Sequence, residues 1–193
     1  EEILELSQHF IRLLHRPYRR YFLREYSLDH SFVIITGQRG VGKSTVLAQY
    51  LVEQYPAYLQ TQEALYVPAD HFVMGRYTLY EIAEEFAGLG GKLLCVDEVH
   101  KYPDWSKELK SICDTFPSLQ LIVSGSSTLE IMQGTHDLSR RAVVFRMTGL
   151  SFREYLEMRT GITAEAVSLS DVFVHHVALA SEIVEKVENV ETK

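Results

Sequence analysis

Phe32-Val33-Ile34-Ile35-Thr36-Gly37-Gln38-Arg39-Gly40-Val41-Gly42-Lys43-Ser44-Thr45 is the stretch on which the fold turns. Phe32 to Thr36 is a run of bulky and branched residues and predicts a short buried strand. Gly37 to Gly42 reads as a Gly-rich turn. Residues 43–54 then carry Val46, Leu47, Tyr50 and Leu51 on one helical face. Turn and helix start together fit the phosphate-binding pattern GxxxxGK[ST]. The glycines let backbone N–H groups curl around phosphate oxygens without a side-chain clash. The helix that follows offers its N-terminal dipole to the same charge. Lys43 is expected to reach the outer phosphates and the Ser44 hydroxyl to ligate Mg2+. Gly37, Gln38, Arg39, Gly40, Val41, Gly42, Lys43, Ser44 and Thr45 are therefore the expected nucleotide-binding residues.

Outward from that loop, apolar runs alternate with helical patterns. Strands are predicted at 64–68, 92–97, 119–124 and 142–147, and helices at 79–87 and 105–116. Thr78 and Glu81 form a capping box at the start of the first of these helices. A helix is also predicted over 2–15, with Ile3, Leu6, Phe10 and Leu13 at helical spacing and Pro17 ending it. Strands alternating with helices predict an α/β, doubly wound parallel sheet covered on both faces.

Leu93-Leu94-Cys95-Val96-Asp97-Glu98 is an apolar strand ending in two carboxylates. Asp97 is placed to hold the magnesium shell, and Glu98 to orient or deprotonate an attacking water. The bland reading is a surface Asp-Glu pair opening a loop. The second carboxylate separates branches of the phosphate-loop proteins. The chain has a single asparagine, Asn189, and no Asn-Lys-x-Asp guanine motif. The Ser-Gly-Gly transporter signature is absent, and small-molecule kinases usually lack the second carboxylate. What remains is the additional-strand, catalytic-glutamate class, with an expected strand order of 5-1-4-3-2.

Composition is compatible with this reading. Hydrophobic residues make up 46% and charged residues 23% of 193, which are globular values. The net charge of −7 disfavours a protein that coats nucleic-acid phosphates. No apolar run approaches the roughly 18 residues of a membrane span. Cys95 and Cys113 are too far apart for a CxxC pair, and Cys95 reads as a reduced core residue, so a cytoplasmic location is expected.

Five segments together carry a family resemblance: ITGQRGVGKST (35–45), LYVPAD (65–70), LLCVDEVHKYPDW (93–105), LIVSGSS (121–127) and LSRRAVVFRMTGLSFREYL (138–156). From Val33 to Leu156 the chain resembles the AAA+-like P-loop ATPase domain of bacterial and archaeal two-part proteins. There an N-terminal ATPase precedes a C-terminal domain of unknown or nuclease-like character. The resemblance implies ATP as the nucleotide, with Mg2+, and a regulatory or mechanical use of its hydrolysis. It also implies a polar sensor of the γ-phosphate at Ser124, with Ser126 as its neighbour; a plain Ser-rich turn is the alternative. Arg141 matches an arginine that completes a γ-phosphate site, often that of a neighbouring subunit. Arg140-Arg141 stands where the family more often shows Gly-Arg, and surface charge is the alternative reading. The expected catalytic set is thus Lys43, Glu98, Ser124 and Arg141, with Ser44 and Asp97 as metal ligands.

The expected organisation is an N-terminal helix and basic-aromatic segment (1–30), an ATPase core (31–160) and a C-terminal helical appendage (161–193) leading into a further domain. The appendage has an apolar stripe of Phe173, Val177, Ala180, Val184 and Val187 that needs a partner. Asp70 has a possible supporting role at the metal, and Trp105 reads as core. Arg16 to Arg24, with Tyr18 and Tyr21, read as an exposed face or as contacts to adenine, a partner or nucleic acid. His175-His176 reads as helix surface. ATP, self-association or the further domain, and a protein client are the expected partners, without a membrane. Two functional alternatives stay open: a nucleotide-gated interaction module with little turnover, and a nucleic-acid-stimulated motor, to which the DExH-like Asp97-Glu98-Val99-His100 points.

Overall fold

Continuous runs of apolar residues form strands buried on both faces; five strands pair in this chain, four of them buried and the edge strand 143–146 partly exposed. The structure, a computed structural model, describes residues 1–125, 138 and 141–191. The strands are β1 (Phe32–Thr36), β2 (Ala64–Pro68), β3 (Leu93–Asp97), β4 (Gln120–Gly125) and β5 (Val143–Arg146). All pairings are parallel, in the order β2-β3-β4-β1-β5. This is the expected 5-1-4-3-2 read from the other edge. Each predicted strand lies within a residue or two of its place.

The helices of the same unit are α1 (Glu2–Leu14), α2 (Phe22–Glu25), α3 (Lys43–Gln54), α4 (Tyr58–Thr61), α5 (Leu79–Gly88) and α6 (Trp105–Thr115). Strand alternation divides the core into two layers. Phe32, Ile34, Leu65, Val67, Leu94, Val96, Leu121 and Val123 face α5 and α6, where Trp105 is buried. Val33, Ile35, Tyr66, Cys95 and Ile122 pack with Ile11 of α1 and Val46, Leu47 and Leu51 of α3. Burial pushes the Cys95 thiol far above its ordinary value, as befits a reduced core residue. Cys113, half-buried at the end of α6, is pushed up to about 11 by the same cause. The Thr78–Glu81 capping box forms as read.

α1 departs from its predicted stripe. Its fully buried residues are Ser7 and Ile11, whereas Leu13 is 53% exposed. The reason lies in the sheet edge. β2 is an outer strand, and an outer strand leaves backbone donors unpaired. Ser7 Oγ accepts the Tyr66 N–H at 2.8 Å, so the helix turns a polar residue inward to satisfy it. Amphipathic spacing alone does not foresee a hydroxyl on the buried face.

At the other edge, Met147 N–H donates to the Thr36 carbonyl at 2.7 Å and brings the chain after β5 against the Gly-rich loop. A Cβ on Gly37 would lie 2.4 Å from the Met147 carbonyl oxygen, closer than packing allows. Gly37→Ala is therefore expected to cost about 1–3 kcal/mol, seen as a lower urea midpoint. Gly88→Ala, where an added Cβ meets nothing within 4 Å, should leave the midpoint unchanged or raise it.

The chain divides into two compact units, Glu1–Gly149 and Leu150–Lys193. The second contains α7 (Phe152–Thr160) and α8 (Leu169–Glu191). α7 starts with a full capping box between Ser151 and Glu154. α8 starts with Ser168 and Asp171 bonded reciprocally. Phe173, Val177 and Val184 of its apolar stripe are exposed, as are His175 and His176. Among the described residues no helix is long and apolar enough to cross a membrane.

Candidate functional site

The site lies at the C-terminal ends of the strands, where ligands bind in open α/β sheets. β1 runs directly into the loop. Gly40 and Gly42 adopt positive φ of 84° and 97°, a conformation that strains any residue with a Cβ. Gly42 is the N-cap of α3, so the first turn of that helix opens toward the loop.

Lys43 begins α3 and is 3% exposed. Its Nζ donates to the Gly37 carbonyl at 3.2 Å and to the Gln38 carbonyl at 3.1 Å. It also stands 3.7 Å from Glu98 Oε1. The lysine is thus folded over the loop with its ammonium at the centre of the site. Gln38, Arg39 and Gly40 are exposed beside it, and Ser44 and Thr45 are half-buried.

Glu98 leaves β3 with a left-handed φ of 52°, which is uncommon for a residue with a side chain and recurs at functional sites. Its N–H donates to Ser124 Oγ at 3.2 Å, and its Oε2 lies 3.7 Å from His100 Nε2. Asp97, the last residue of β3, is buried between two hydroxyls. Ser124 of β4 donates to Oδ1. Tyr66 of β2 donates to Oδ2 at 2.6 Å. Burial, then the Asp97 charge, pushes the Tyr66 hydroxyl far above its ordinary pKa, so it remains a donor.

Lys43, Asp97, Glu98 and Ser124 are thus brought together, and Ser44 follows Lys43 in the first turn of α3. Ser124 is fully buried, with its hydroxyl engaged by Asp97 and the Glu98 amide. Arg141 is not brought to this cluster. It pairs with Asp114 at the end of α6. Arg141 precedes β5 and Met147, level with the loop, follows it, six residues and roughly 15–20 Å of extended chain away. Asp70 pairs with Lys101 at 3.0 Å. Ser126 and Arg140 lie outside the described residues.

The basic-aromatic segment departs from an exposed face. Arg19 holds Glu53 with two bonds of 2.7 and 2.9 Å. Arg20 is buried, donating to the Val41 carbonyl in the loop and to the Thr148 and Gly149 carbonyls at 3.2 and 3.3 Å. It buckles the phosphate loop to the chain that follows β5. Arg24 lies over the Tyr21 ring at 4.8 Å. Arg20 and Tyr66 are the two site-supporting residues that sequence reading missed, and no local pattern marks either.

The donor set suits magnesium. Ser44 and Asp97 supply hard oxygens, and Mg2+ is commonly held by one or two carboxylates together with substrate phosphates. Among the described residues no group of three or more His, Cys, Asp or Glu side chains could hold a metal by itself.

A family model described as an AAA domain matches residues 29–156. The chain belongs to the AAA family. The resemblance carried by the five segments is borne out over nearly the same span, and the AAA domain is a nucleotide-binding ATPase fold. The chain is 27% identical over 142 residues to the uncharacterized protein MJ1637 of Methanocaldococcus jannaschii, covering 70% of this chain and 29% of that relative. Among solved structures, C. elegans PCH-2 is similar, at 13% identity and a TM-score of 0.48, over 83% of this AAA chain and 46% of that one. Domain III of the Thermotoga maritima replication initiation protein DnaA is similar too, at 13% identity and a TM-score of 0.48, over 79% and 66%.

Proposed function

We propose that this AAA domain binds ATP with magnesium and hydrolyses it, so driving or gating an attached domain or partner. The observation that carries the reading is the placement of the Lys43 ammonium between the loop carbonyls and Glu98, beside the buried Asp97. Lys43 and the loop amides bind the phosphates. Ser44 and Asp97 would hold magnesium, which when bound draws negative charge from the phosphate oxygens. Glu98 orients a water and takes its proton as the water oxygen bonds to the γ-phosphorus. The bond from that phosphorus to the β–γ bridging oxygen breaks, and ADP leaves with inorganic phosphate. Ser124 keeps Asp97 and Glu98 in register and lies beside the γ-phosphate position.

The position of Arg141 favours a second reading. It is paired with Asp114 and remote from its own loop, so an arginine at the γ-phosphate would come from a second copy. Arginine fingers contribute about 10³-fold or more to turnover. A chain working alone would then be a nucleotide-gated module with little turnover. The much greater length of the Methanocaldococcus relative supports the attached-domain half of the proposal. On that reading residues 161–193 lead from the ATPase core into the domain that does the work.

Magnesium-dependent phosphate release from ATP, measured over a range of protein concentrations, tests both readings. Release that rises faster than concentration is the result expected of an assembling ATPase. ATP binding without release at any concentration would favour the gated module. Absence of ATP binding would overturn both. Stimulation of release by single-stranded DNA at low salt would instead favour the motor alternative.

A further inference from the structure

The N-terminal helix reaches the metal-binding side of the site through one residue. Tyr66 is 1% exposed and bridges α1 and β3. Its N–H donates to Ser7 of α1. Its ring stacks on Phe10 of α1, with centroids 6.2 Å apart and planes 20° from parallel. Its hydroxyl donates to Asp97 Oδ2 at 2.6 Å. The phenol oxygen thus touches Asp97, one of the two side chains that the proposed function assigns to magnesium. Together with Ser124 it holds Asp97 from both flanking strands, one hydroxyl on each carboxylate oxygen. Nothing in the phosphate-loop pattern calls for a tyrosine at this place on β2.

We propose that Tyr66 is a positioning residue for the magnesium site, orienting Asp97, and that α1 sets its position and so couples the N-terminal helix to metal binding. The inference rests on the ATPase reading. Partners that orient a metal's ligands typically contribute 10–100-fold to metal affinity or activity. Displacement of α1, by whatever binds its outer face, would move the ring and weaken the site without touching the loop that holds the phosphates.

The test is calorimetric titration of the whole chain with AMP-PNP, a non-hydrolysable ATP analogue, in EDTA and at stepped MgCl2. Tyr66→Phe keeps the ring and removes only the hydroxyl. Its affinity in EDTA is expected to match the unaltered chain within about twofold, while the MgCl2 concentration giving half of the magnesium-dependent gain rises about tenfold or more. Phe10→Ala, remote from the loop, should shift the same midpoint in the same direction by a smaller factor. Thermal melting of both variants confirms that they are folded. A normal gain in the unaltered chain with the same midpoint in Tyr66→Phe would overturn the positioning role and leave the ATPase reading intact. An unmoved midpoint in Phe10→Ala would overturn the coupling to α1. No magnesium-dependent gain in the unaltered chain would overturn the ATPase reading, and this inference with it.

Discussion

Glu98→Gln is expected to leave ATP bound and to lower phosphate release by about 10²-fold or more, the range for loss of a general base. Gln has the same length and can follow the same left-handed backbone at φ 52°, and its N–H can still reach Ser124 Oγ. What disappears is the negative charge and the proton acceptor. The charge now attracts the Lys43 ammonium at 3.7 Å, and its removal releases the lysine for the phosphates. Binding is therefore expected to be unchanged or modestly tighter. Calorimetry with ATP beside a phosphate-release assay separates the two effects. Undiminished release in the variant would remove Glu98 from the chemistry. A parallel loss of binding would mean that the carboxylate shapes the loop instead.

Lys43→Ala is expected to weaken ATP binding by at least about 10²-fold, to the edge of detection. The buried ammonium makes two bonds to loop carbonyls that would give way to phosphate oxygens. Hydrogen bonds to charged groups contribute about 1.5–3 kcal/mol each, and in a partly enclosed site they are little screened. The variant also leaves Glu98, at the rim of the site, without its cation. Because Glu98 is 20% exposed, water can solvate it, and the fold should survive with a small loss of thermal stability. Calorimetry checks the affinity, and a melting curve checks that the loss is not unfolding. Unchanged affinity would overturn the phosphate-loop assignment.

These two predictions use residues that the sequence declares. A phosphate loop must place glycines, a lysine and a hydroxyl within eight consecutive residues, because one turn and one helix start perform the whole task. The Asp97-Glu98 pair is local for the same reason: a buried strand ends, and two carboxylates follow. The five strands were legible because a parallel sheet needs continuous apolar runs, and the strand order was the one expected of the catalytic-glutamate class to which the second carboxylate pointed.

Other features were not legible because they depend on residues distant in sequence. Arg20 is tied to Val41, Thr148 and Gly149, three carbonyls that carry no sequence signature. Tyr66 reads locally as one more apolar member of a strand. Only pairing of β2 with β3 sets its hydroxyl against Asp97, and only the packing of α1 sets Ser7 on its N–H. Arg141 illustrates the converse, since its motif position points to a γ-phosphate whereas its place before β5 sets it beside Asp114. By itself, then, the sequence determined the class of sheet, the nucleotide loop and the two acidic residues, all features built from neighbours along the chain. Only the tertiary structure decided which side chains hold that loop and those carboxylates in place, because a hydrogen bond between distant segments is set by how helices and strands pack.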